Sequence, residues 1–95
     1  MNEIKYVILI PKGMNEQGAR AMIFNGSMNH KEAVFYLTAT GQFKVRSAGF
    51  CTVFPEIKAW GESVSLSVKS LDGDAEIIER TLKHNHSLTD MFAHS

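Results

Sequence analysis

The sequence predicts an α+β domain: an antiparallel β-meander of five to six strands with one C-terminal amphipathic helix packed on one face. Three observations lead there. Ile4–Ile10 is β-branched and almost continuously apolar, as in a strand at the centre of a sheet. In Glu62-Ser63-Val64-Ser65-Leu66-Ser67-Val68-Lys69 every second side chain is apolar. Val64, Leu66 and Val68 would share one face of a strand and the serines the other, giving a sheet with one buried and one wet face. Asp72-Gly73-Asp74 then supplies a turn and an N-cap, and Ala75, Ile78 and Leu82 fall on one helical stripe.

The remaining elements follow in order. Pro11-Lys12-Gly13 ends the first strand, because proline cannot donate to a ladder and glycine permits the turn. Residues 15–24 read two ways. Glu16, Gln17, Ala19, Arg20, Ala21 and Met22 are good helix formers, but Gly18 interrupts them, and Ala19–Phe24 also serves as an edge strand. The balance falls to the strand. Asn25-Gly26-Ser27 and Asn29-His30 are turn chemistry. Ala33–Thr40 is expected as a strand, with Gly41-Gln42 as a hairpin turn into Phe43-Lys44-Val45-Arg46. There Phe43 and Val45 should face in, and Lys44 and Arg46 out. Phe50–Phe54 continues as strand after Gly49, and Pro55–Gly61 is a loop or single helical turn carrying Trp60. In the terminal helix, Ala75–His84, Glu76 with Arg80 and Glu79 with Lys83 are i,i+4 pairs suited to a solvated face. Residues 1–86 therefore form a single domain, and 87–95 a short tail or helical turn.

The chain has 95 residues, 44% hydrophobic and 21% charged, which suits one ordinary globular domain. Ten basic and ten acidic residues cancel, so no net field recruits nucleic acid. Up to Lys58 there are seven Lys/Arg against four Asp/Glu, and beyond it three against six, a mild dipole of about +3 and −3. Cys51 is the only cysteine, which excludes an internal disulfide and a Cys-based zinc site. An inert buried thiol in a reducing cytoplasm is the expectation. Glu3 and the short apolar run ending at Pro11 do not make a signal peptide, and no stretch approaches the roughly 20 apolar residues of a membrane span.

Motifs for chemistry are weak. His84 and His86 are two apart at a helix end, and His30 or His94 could join them on a metal, but a solvated C-terminus explains them better. Asp72, Asp74 and Glu76 imitate the start of a calcium loop, yet Ile77 stands where that loop needs glycine and Lys83 where it needs glutamate. Neither a P-loop, a dinucleotide fingerprint nor a nucleophile elbow occurs. The expectation is a non-catalytic protein with no metal and no cofactor.

Binding is the reading left. In Ser87–Asp90 there is capping-box character, and Leu88, Met91 and Phe92 fall at i, i+3, i+4, an apolar stripe suited to a partner's groove. A sheet edge offers a route to a homodimer. The expected partner is therefore another protein or a second copy, with no membrane. The alternative is weak nucleic-acid binding on a basic strand face through Lys44 and Arg46, joined by Lys58 and Trp60.

In overall layout the chain resembles the small accessory proteins carried by enteric, lambda-like prophages. The resemblance lies in Ile4–Ile10, Pro11-Lys12-Gly13, Gly18-Ala19-Arg20-Ala21, the strand-rich middle, and Glu62–Val68 leading to a terminal helix. It implies a bacterial cytoplasm and a non-essential, non-enzymatic role.

Overall fold

The computed structural model describes residues 4–84. Its first strand, β1 (Ile4–Pro11), is the centre of a four-stranded antiparallel sheet. A 3₁₀ turn at Glu16–Gly18 leads to β2 (Arg20–Asn25), which pairs with β1 on one side. Helix α1 (His30–Ala39) then crosses to β3 (Phe43–Thr52), which pairs with the other side of β1. A turn brings β4 (Lys58–Trp60) onto β3, so the order is β2-β1-β3-β4. Strands β5 (Glu62–Ser63) and β6 (Val68–Lys69) form a separate two-stranded hairpin, and α2 (Asp74–His84) closes the described chain.

The α+β class and the antiparallel sheet stand; the meander with one wet face does not. Alternate residues of β1 serve two cores. Tyr6, Ile8 and Ile10 pack with Ala21, Cys51, Ile77 and Ile78 beneath α2. Val7 and Leu9 pack with Val34 and Ala48 beneath α1, where Leu66 and Val68 of the hairpin join them. A strand covered on both faces needs a nearly continuous apolar run, and Tyr6–Ile10, all buried, supplies it.

The expected strand over Ala33–Thr40 is the helix α1. Its N-cap is Asn29, whose Oδ1 accepts the Glu32 N–H at 2.8 Å while its Nδ2 donates to Glu32 Oε1 at 2.6 Å. Asn29 thus caps the helix through its side-chain oxygen and holds the Glu32 carboxylate with its side-chain amide. Val34 is buried and Leu37 half-buried on the inner stripe. Gly41, at φ +75, stands just past the C-cap Thr40, so the expected hairpin turn is instead a helix stop.

The expected single strand over 62–69 is the β5–β6 hairpin. Its turn closes with Ser67 N–H donating to Val64 O at 3.2 Å, and Ser67 takes φ 57. Of the three serines only Ser63 is buried, while Ser65 and Ser67 are exposed. Ser63 Oγ accepts the Leu66 N–H, and Ser65 Oγ accepts the Lys31 N–H from the first turn of α1 at 3.1 Å. Serine hydroxyls compete with ladders for backbone groups, and here the turn prevails.

The buried stripe of α2 is also rotated from the expected one. Asp74, Ile77, Ile78 and Thr81 face inward, whereas Leu82 is 37% exposed. Strand β3 runs unbroken through Gly49, and the segment carrying Trp60 is strand rather than loop. Among the described residues no helix is long and apolar enough to cross a membrane.

Candidate functional site

A closed polar cluster ties α2 to the sheet. The Asp74 carboxylate is 1% exposed. It accepts from the Tyr6 hydroxyl at 2.5 Å, the Ser47 hydroxyl at 2.7 Å, Arg46 Nη1 at 2.5 Å and the Leu71 N–H at 2.9 Å. Burial, and then the hydrogen bond to Asp74, hold the Tyr6 phenol far above its ordinary range. Arg46 continues outward to Glu16 Oε1 at 2.8 Å, the bond that does most to raise its guanidinium. Four donors converge on one buried carboxylate, which satisfies the charge and fixes the angle at which α2 meets β1 and β3.

A β-bulge places Arg46 there. Ile8 stands opposite Ser47 and Leu9 opposite Val45, so Arg46 is the extra residue on β3. Strict alternation puts Arg46 on an outer basic face; the bulge turns it inward to Asp74, leaving its side chain 13% exposed. Lys44 stays exposed opposite Ile10, on the α2 side of the sheet. Trp60 stands opposite Phe50, and Lys58 opposite Thr52, on the α1 side. Lys58 pairs with Glu56 at 3.3 Å. The four residues expected to make one basic face therefore divide between two.

The apolar surface lies elsewhere. On the outside of α1, Phe35 is 55% and Tyr36 82% exposed, their rings edge to face with centroids 5.6 Å apart. Together with Asn29, Lys31 and Glu32 they line a shallow hollow. Val53 and Phe54 are also exposed, in the turn from β3 to β4, as is Trp60 at the far end of β4. The tail stripe Leu88, Met91 and Phe92 lies outside the described residues, as do His86 and His94.

His30, expected in a turn and weighed as an added metal ligand, is instead the first residue of α1 and is buried. Its ring sits edge-on between Phe24 and Phe50, with centroids 5.5 and 6.0 Å away, and its Nε2 lies 2.9 Å from Gly49 O. With Nε2 protonated, it donates that bond. Asn29 followed three residues later by Glu32 was the available signal that His30 opens a helix over the sheet.

The chain matches no family model, no curated protein and no solved structure.

Proposed function

We propose that this chain is a non-catalytic interaction module that binds another protein or a second copy of itself. The observation that carries the reading is the Phe35–Tyr36 pair, two large side chains in contact with each other and open to solvent on the outer side of a helix. Covering an aromatic of this kind contributes about 1.5–3 kcal/mol, so a partner that buried both would gain a useful anchor. The sequence adds the stripe Leu88, Met91 and Phe92 as a second apolar contact, and the prophage resemblance accords with an accessory binding role. A sheet-edge homodimer belongs to the same reading.

Sedimentation of the purified protein, together with capture from its host with and without nuclease, tests this. Association or a nuclease-resistant partner that weakens at least about tenfold in a Phe35→Ala, Tyr36→Ala double variant supports the reading, since that loss is about 1.4 kcal/mol. Unchanged association in a folded double variant removes α1 from the interface.

Nucleic-acid binding is the second reading, and its specific support is the alignment of Lys5, Phe50 and Trp60 in one row on the α1 side of the sheet. It calls for capture that is lost with nuclease and for affinity that falls steeply with salt.

A further inference from the structure

The 3₁₀ turn, the start of β2 and the later turns of α2 border a half-open cavity of about 280 Å³. Met14, Gln17, Gly18, Ala19, Arg80 and Thr81 line it, and Arg20 completes the lining. Met14 is an apolar wall: it lies so close over Gly18 that a Cβ there would meet its Cε at 2.5 Å. Thr81 directs its hydroxyl away, accepting the Ala21 N–H at 3.0 Å and donating to Ile77 O at 2.8 Å, so its methyl is what remains for a ligand.

Among the described residues the two arginines of this cavity, both exposed, have no acidic partner. Helical spacing pairs Arg80 with Glu76, but the guanidinium instead donates from Nη2 to Ala19 O at 2.8 Å. Glu16, beside Gln17 in sequence, is held by Arg46. A guanidinium has five N–H donors in a planar fork matched to a carboxylate, and a backbone carbonyl that uses one of them also orients the rest.

We infer that this cavity binds a small organic carboxylate, its oxygens on Arg80 and its short apolar body against Met14 and the Thr81 methyl. The site is separate from the α1 surface and stands whether or not that surface binds a partner. The carboxylate comes either from a free small acid or from an acidic side chain of a peptide.

The test is a nuclear magnetic resonance titration of the full chain with butyrate, butyramide, N-acetyl-aspartic acid amide and inorganic phosphate. Butyrate should shift the amides of residues 17–20 and the Arg80 side-chain signal saturably, with a dissociation constant on the order of 1 mM. Butyramide, nearly the same shape without the charge, should bind at least about tenfold more weakly, as should butyrate to Arg80→Gln. A stronger response to butyrate than to the aspartate derivative assigns a free acid; the reverse assigns a peptide side chain; either supports the site. Equal response to butyramide, tighter binding of phosphate, or the absence of saturable shifts would each overturn it, and none of these needs a variant that must fold.

Discussion

The Tyr6 hydroxyl donates to the Asp74 carboxylate at 2.5 Å across 68 positions of sequence, with both side chains buried. It joins the central strand to the first turn of α2, and Ser47 and Arg46 bind the same carboxylate from β3. One acid therefore sets the docking of a helix on two strands.

Removing that acid should be the most damaging single change in the protein. Asp74→Ala leaves Arg46, Tyr6 and Ser47 without their shared acceptor and should cost about 3–5 kcal/mol. Tyr6→Phe removes one donor and should cost about 1–3 kcal/mol. Urea unfolding of both variants and of the double variant measures this. Additive losses would show that the two groups do not act together.

Cys51 should be inert at neutral pH and should weaken the fold in alkali. Burial pushes its thiol from 9.0 up to about 11. The folded state then holds the proton more tightly than the unfolded state. That stability is complete below pH 9 and is lost as pH rises through about 11. Tyr6 acts in the same direction at higher pH. A thiol reagent at pH 8 should label Cys51 only after denaturant is added, and the urea midpoint should fall from pH 9 toward pH 11. Rapid labelling of the native protein contradicts the buried position.

Gly49→Ala should separate β4 from β3. A Cβ at this position would meet Trp60 O at 2.3 Å, and the obstacle is backbone that cannot rotate aside. A loss of about 1–3 kcal/mol is expected, with hydrogen exchange rising first at residues 58–60. A variant as stable as the parent would mean that the two strands are not this close.

Val64→Asp distinguishes the hairpin from the alternating strand that the sequence suggests. In the strand Val64 belongs to the core; in the hairpin it is 85% exposed at the turn. The substitution should change stability by no more than about 0.5 kcal/mol, as thermal unfolding would show. A drop of several kcal/mol would restore the strand.

Local sequence sufficed where one segment carries its whole reason. Ile4–Ile10 is apolar on both faces and could only be a central strand; Asp74–His84 has the period and the turn of a helix. The outer aromatics of α1 pointed the wrong way, because Phe35, Tyr36 and Thr38 favour strand while the cap at Asn29 favours helix. Only the fold settles that contest: Val34 is buried against β1 and β3, and Ser65, 34 positions away, satisfies the free Lys31 N–H. The serine alternation misled for the same reason, since a hydroxyl bonds whatever backbone the tertiary structure brings near it. The candidate binding features were less legible still. Arg46 is turned inward by a bulge that depends on the register between two strands, and Arg80 leaves its helical neighbour for a carbonyl on β2's approach. Composition and periodicity determine which segments can be buried; register and packing between distant segments decide which charges are paired and which face solvent.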